Sequence, residues 1–272
     1  MKTPELEPWL QRFFREYLIA QRNVSPATVT AYRDTFRRLF SFLKKRRLKR
    51  HEALPLDQLA PDLVVGFLDH LERERGNTIR TRNARFAALR SFVHYLCDWL
   101  GPELPVCVPR ILGIPFKRHV QRISGFLSRQ EVEAILAATG DTWTGRRDHL
   151  LFLLLYNTGA RISEVLALQV KALTDNGKQV EILGKGRKHR TLPLWPQTQR
   201  CVRHWIRENR LTAASHLLPN RFGQRLTRAG AAYQLRQLVD RASSKLPGIR
   251  KRPVSTSHFS PRDGYELIGR GR

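Results

Sequence analysis

Thr158-Gly159-Ala160-Arg161-Ile162-Ser163-Glu164-Val165-Leu166-Ala167-Leu168, followed by Ile182-Leu183-Gly184-Lys185-Gly186-Arg187-Lys188-His189-Arg190-Thr191-Leu192-Pro193-Leu194, is the part of the chain that decides its fold. In the first stretch a Thr-Gly-Ala turn leads into a helix that Arg161 opens, with Glu164 one turn later on the same face. In the second the period changes to two. Gln179 to Leu183 and His189 to Leu194 read as strands around Gly184-Lys185-Gly186-Arg187-Lys188, which predicts a β-hairpin with a glycine-rich, cationic tip.

Two kinds of chemistry are possible there. Backbone amides at a helix start and the planar donors of Arg161 converge on anionic oxygens, with Glu164 holding the guanidinium. The bland alternative is a surface Arg-Glu pair of little energetic consequence. Lys185 has glycines on both sides, so the backbone can approach a ligand and the ammonium can act as a general acid at a leaving oxygen, or it is an ordinary turn lysine. A third group, Val254-Ser255-Thr256-Ser257-His258-Phe259-Ser260-Pro261-Arg262, offers His258 and Arg262 to a phosphate; alone, a histidine near a basic tail carries little information.

Outward from these motifs the pattern is helical. Ser128-Arg129-Gln130-Glu131 is a capping box for a helix through Leu136, and an apolar helix is predicted from Arg146 to Asn157. Later helices fit Ile162 to Leu168, Pro196 to Asn209 and, capped by Thr227, Arg228 to Ala242. The first half reads as four helices: Glu7 to Arg22, one opened by Ser25 and Pro26, Pro61 to Arg75, and Asn77 to Leu100. In the second of these, Tyr32, Phe36, Leu39, Phe40 and Leu43 share a stripe. In the fourth, Phe86, Leu89, Val93 and Leu96 point inward, and Arg80, Arg82, Arg85 and Arg90 are placed on the outer part, as a solvated face or as phosphate contacts. The run Lys44 to Arg50 complements a helix C-terminus or meets DNA.

Gly101 to Arg122, with Pro102, Pro105, Pro109 and Pro115, reads as an interdomain connection. The expected organisation is a helical domain over 1–105, a linker over 106–122 and a second domain over 123–272. The fold class is mainly α with a small β-hairpin or sheet (α+β).

The 272 residues carry 49 Lys and Arg against 23 Asp and Glu, a formal charge of +26, which points to a polyanionic partner. The excess is uneven: +7 over residues 1–105 and +19 over the remainder. An apolar content of 41% fills two cores and excludes wholesale disorder. No apolar run reaches the roughly 18 residues of a bilayer span, and the N-terminus lacks a secretory pattern, so no membrane association is expected. Cys97, Cys107 and Cys201 are odd in number and scattered, which fits a reducing cytoplasm and neither a disulfide framework nor a zinc site.

In these motifs the chain resembles the tyrosine site-specific recombinases, the family of phage integrases and Xer-type enzymes. The segment Thr158 to Leu168 looks like that family's first arginine box, and Ile182 to Leu194 like its lysine hairpin. The helices of the first half, including Ser25-Pro26-Ala27-Thr28, match its four-helix, SAM-like core-binding domain, and residues 123–272 its integrase-type catalytic domain. The resemblance implies catalytic roles for Arg161, Lys185, His258 and, displaced by one position because Pro261 stands where arginine is expected, Arg262. DNA contacts are expected from Arg80, Arg82, Arg85, Arg187, Lys188 and Arg190.

In that family a tyrosine attacks a DNA phosphodiester to leave a 3′-phosphotyrosyl bond, and the released 5′-hydroxyl later reverses the step; no metal, nucleotide or other cofactor is required. The segment bearing that tyrosine has no counterpart here. Only Tyr265 follows His258, too closely to match the nucleophile, so the resemblance implies a C-terminal truncation and an inactive recombinase. The expected partners are double-stranded DNA and, on DNA, a second copy or a related recombinase. The alternative is a DNA-binding accessory or regulatory protein that occupies recombination sites without cutting.

Overall fold

The computed structural model describes residues 4–45, 54–119, 126–184, 188–251 and 254–259. The chain divides into two compact units, Met1–Arg122 and Ile123–Arg272.

In the first unit, α1 (Leu6–Arg12) runs directly into a π-helical stretch, Phe13–Gln21. Next come α2 (Pro26–Lys45), α3 (Pro61–Arg73) and α4 (Ile79–Leu100). Local chemistry sets the starts. The Thr28 amide donates to Ser25 Oγ at 3.2 Å, and the Thr81 amide to Thr78 Oγ1 at 3.3 Å; each satisfies one of the amides a helix start leaves without a partner. Pro61 occupies the first turn of α3, where no amide is needed.

The core is aromatic. Phe13 meets Phe92 edge-on at 5.2 Å between centroids, and Phe36 meets Phe92 at 5.4 Å. The stretch that reads as a linker is partly incorporated here: Pro109–Gly113 forms a 3₁₀ turn, and Leu104, Val108 and Ile111 are buried with Phe86 and Leu89. These apolar residues are spaced too irregularly to announce an element, yet each removes enough area from water to hold this length of chain in place.

The second unit is built around α6. Its helices are α5 (Arg129–Ala137), α6 (Trp143–Thr158), α7 (Ile162–Val165), α8 (Pro196–Glu208) and α9 (Arg228–Ala242). The capping box forms, with the Ser128 amide donating to Glu131 Oε2 at 2.7 Å and the Glu131 amide to Ser128 Oγ at 3.2 Å. Leu150, Leu151, Phe152, Leu154 and Leu155 of α6 are fully buried, because α5 and α8 both pack on it. That helix begins three residues before the sequence expectation, since Thr142 caps it by accepting from the Gly145 amide at 3.1 Å.

Three antiparallel strands follow in the order β1 (Leu173–Thr174), β2 (Gln179–Leu183), β3 (His189–Pro193), with Ile182 opposite Arg190. The two-residue β1 is too short to carry a period, so only the hairpin is legible in the sequence. Among the described residues no helix is long and apolar enough to cross a membrane.

Candidate functional site

The site begins where α6 ends. Gly159 adopts a left-handed conformation (φ 59°, ψ 16°), and its amide donates to the Leu155 carbonyl at 2.9 Å, closing the helix as glycine does at little steric cost. Asn157, near the end of the same helix, pins it to the sheet: its Nδ2 donates to the Pro193 carbonyl at 3.2 Å, and the Trp195 amide donates to its Oδ1 at 2.8 Å. Just beyond Gly159 comes Arg161, the N-cap of α7, with 64% of its side chain exposed.

Glu164 organises the cations around this turn. One carboxylate oxygen accepts from the Arg161 guanidinium at 2.9 Å; the other accepts from the Arg161 amide at 3.0 Å and from Arg190 Nη2 at 2.6 Å. Its side chain is only 8% exposed. Burial alone would raise the Glu164 pKa, but the Arg161 amide and the Arg161 and Arg190 guanidiniums outweigh it and hold the group below its ordinary 4.5. A carboxylate that stays ionised in this way fixes two cations on one side of the turn. Arg225 adds a further tie, donating from Nη2 to the Ser163 carbonyl at 2.7 Å.

The hairpin closes beside this cluster. The Gly184 amide donates to the Lys188 carbonyl at 2.8 Å, and a Cβ at Gly184 would stand 2.9 Å from Arg190 Nη1. Lys188 is exposed. Lys185, Arg187 and Arg262 lie outside the described residues.

His258 lies in the 3₁₀ turn Thr256–His258 and is buried. Its Nδ1 accepts from the Ser255 amide at 3.0 Å, which in the neutral ring assigns the proton to Nε2. The Leu127 amide donates to the His258 carbonyl at 3.3 Å, and Phe259 stacks on Phe152 of α6. The histidine is therefore built into the second unit, tied to the start of α5 and to α6. Among the described residues no group of three or more His, Cys, Asp or Glu is placed to hold a metal.

The arginines of α4 require a correction. Arg80 is exposed, but Arg82 is buried and its Nε lies 3.2 Å from Glu72 Oε1. Arg85 is half-buried against Asp34 at 3.3 Å, and Arg90 donates to the Leu112 carbonyl. Arg82 thus lies inside the first unit on a carboxylate and not on the outer part of α4, because the Glu72 carboxylate compensates its charge there. Sequence reasoning also misses Asn157 and Arg225, whose partners lie far away in sequence and leave no local signal.

Comparison with known proteins shows the family and the fold. Residues 125–259 match the Phage integrase family, and residues 10–98 match the Phage integrase, N-terminal SAM-like domain. An integrase/recombinase of Sinorhizobium fredii, y4rC, is 36% identical over 99% of this chain and 82% of its own length. The chain belongs to the phage integrase family of tyrosine recombinases. Other relatives of this integrase-family chain include y4rD of the same species, 37% identical over 93% of the chain and 92% of that protein. Tyrosine recombinase XerC of Anoxybacillus flavithermus is 28% identical over 86% and 77%.

Among solved structures, the integrase fold of this chain is shared with a lambda integrase dimer bound to a COC′ core site. That match has a TM-score of 0.64 at 13% identity, over 88% of this chain and 82% of that one. It is shared also with XerH site-specific recombinase bound to difH substrate, with a TM-score of 0.62 at 20% identity, over 88% and 67%. The α+β class, with an N-terminal SAM-like domain and an integrase-type catalytic domain, is the one expected from the sequence.

Proposed function

We propose that this chain binds duplex DNA and holds a backbone phosphate in its second unit. Arg161 and His258 face the phosphoryl oxygens, and Lys185 serves the leaving 5′-oxygen as general acid. The observation that carries the reading is Glu164, a buried carboxylate that stays ionised while presenting an exposed Arg161 beside the base of the lysine hairpin. Arg262 is the candidate for the second arginine. The net charge of +26 supplies sequence-independent attraction. Arg80, Arg187 and Lys188 are candidate phosphate contacts, and DNA-bound relatives that form dimers and tetramers favour self-association on DNA. Cys97, Cys107 and Cys201 are all free, as suits a reducing compartment such as the cytoplasm.

The 272-residue polypeptide binds without forming a phosphotyrosyl adduct. Tyr95 is buried, Tyr156 packs edge-on against Trp195, Tyr17 and Tyr32 belong to the first unit, and Tyr233 projects from α9, ahead of His258 in the chain. An attacking oxygen must be held in line about 3 to 3.5 Å from phosphorus, and Tyr265, seven residues past His258, follows it too closely to match the family's nucleophile.

The test uses a duplex site enriched from a random library by the chain itself. Affinity falls with salt, with a slope in log K against log salt of about −0.9 per neutralised phosphate, and no band survives denaturing electrophoresis on a nicked form of the site. Salt-independent affinity refutes the DNA-binding reading. A denaturation-resistant band that disappears in Tyr265→Phe refutes the non-covalent reading and makes the polypeptide a strand-cleaving enzyme.

A further inference from the structure

We propose that Arg190 is a positioning residue which acts through Glu164 to tie β3 and the base of the hairpin to the Arg161 guanidinium. The inference rests on the reading that Arg161 meets a DNA phosphate, and it reassigns Arg190 from phosphate contact to support.

Four observations converge. First, the Glu164 oxygens divide their work: Oε1 takes the Arg161 guanidinium at 2.9 Å, and Oε2 takes the Arg161 amide at 3.0 Å and Arg190 Nη2 at 2.6 Å. Second, Glu164 is buried while Arg161 is largely exposed, so water competes for Arg161 far more than for Arg190, which is 37% exposed. When a phosphate draws the Arg161 guanidinium away from Oε1, Arg190 stays on the carboxylate and spares it the cost of an uncompensated buried charge.

Third, Arg190 is placed for this by register. It stands opposite Ile182, which is fully buried, on the inward-facing side of a strand whose alternate residues are exposed. Fourth, Gly184 leaves the space. A side chain there would begin 2.9 Å from Arg190 Nη1 and 3.7 Å from Glu164 Oε1, so a residue other than glycine pushes on the guanidinium as it reaches its partner. Glycine at the first position of the hairpin loop thus serves the ion pair as well as the turn.

The experiment measures anisotropy of a fluorescein-labelled duplex against the full chain over a salt series. It compares the wild type, Arg161→Ala, Arg190→Gln, their double variant, Arg190→Lys and Gly184→Ala. Arg190→Gln is expected to weaken binding about two- to fivefold, the range of a partly exposed ion pair, and to have no further effect in the Arg161→Ala background. Gly184→Ala, which displaces the guanidinium without deleting its charge, is expected to weaken binding in the same direction. Arg190→Lys is expected to restore part of the loss.

If Arg190→Gln instead adds its full effect to Arg161→Ala and lowers the salt slope by a further 0.9 or so, Arg190 is a phosphate ligand and the proposal is wrong. No effect of Arg190→Gln in the wild type also overturns it. A second measurement needs no DNA: the Arg161 guanidinium N–H resonances are expected to broaden in Arg190→Gln relative to the wild type. Unchanged resonances overturn the proposal even if a variant binds poorly because it folds poorly. A wild type that does not bind the duplex at all refutes the DNA-binding reading, while the resonances still judge the positioning role.

Discussion

Phe259 stacks on Phe152 with ring centroids 5.2 Å apart and planes inclined by 29°, which carries the residue following His258 into the core of the second unit. His258 is consequently placed by packing on one side and by the Ser255 amide on the other. Phe259→Ala is expected to cost about 3 kcal/mol in denaturant unfolding, with Phe259→Leu recovering most of it. If the segment 254–259 frays independently, the loss registers as faster local amide exchange around Leu127 and His258 and not as global destabilisation. A Phe259→Ala variant with unaltered unfolding and unaltered exchange would show that this packing does not hold His258.

Glu164→Gln should destabilise the fold in a pH-dependent way. The Glu164 pKa in the folded chain lies below its ordinary 4.5, so its stabilising contribution is present above that value and is lost as pH falls through the folded one. The stability gap between wild type and Glu164→Gln is therefore widest at neutral pH and closes under acid conditions below 4.5. Urea titrations at a series of pH values measure it; a gap that widens on acidification contradicts the ion-pair network.

Arg147 and Asp148 form a buried pair at 2.7 Å inside α6, and Arg147 also donates to the Pro219 carbonyl. Burial pushes the Asp148 carboxyl above its ordinary 3.8 even though Arg147 opposes the shift. Desolvation therefore outweighs attraction, and the folded state's preference for protonated Asp148 fades as pH rises through the folded pKa. At neutral pH, Asp148→Ala should cost about 3 to 5 kcal/mol by orphaning the guanidinium. A double replacement, Arg147→Met with Asp148→Leu, should cost clearly less than that single change. Equal costs would mean the pair stabilises the fold by its own attraction.

Arg80→Ala and Arg82→Ala, two positions apart on α4, should separate binding from stability. Replacing exposed Arg80 is expected to lower duplex affinity and leave the melting temperature unchanged. Replacing buried Arg82, paired with Glu72, is expected to lower stability by about 1 to 3 kcal/mol without altering the salt slope of binding. A drop in slope for Arg82→Ala in a folded protein contradicts its placement.

Much of the fold is legible locally, because caps, turns and periodicity act over a few residues. Ser25, Ser128 and Thr227 cap the helices that follow them, and the change of period after Leu168 locates the hairpin. Part of the signal for Arg82 is local too: the 3.6-residue repeat that turns Phe86, Leu89, Val93 and Leu96 inward also passes through position 82. Its charge argues for the outer face all the same, and the carboxylate that makes an inward arginine tolerable is on another helix.

The sequence by itself pointed to the family, the helical frame with a lysine hairpin, and the place of Arg161 just after a turn at a helix start, since these follow from backbone preferences and from motifs read in order. Only the tertiary structure decided which cations are available. Glu164 and Arg190 are 26 residues apart and meet at 2.6 Å; Arg82 finds Glu72 on a neighbouring helix, and Asn157 finds Pro193 and Trp195 across the sheet end. The physical reason is that a charged side chain carries no mark of its partner. Whether it is neutralised inside the protein or offered to a phosphate depends on burial and on a carboxylate brought up from elsewhere in the chain.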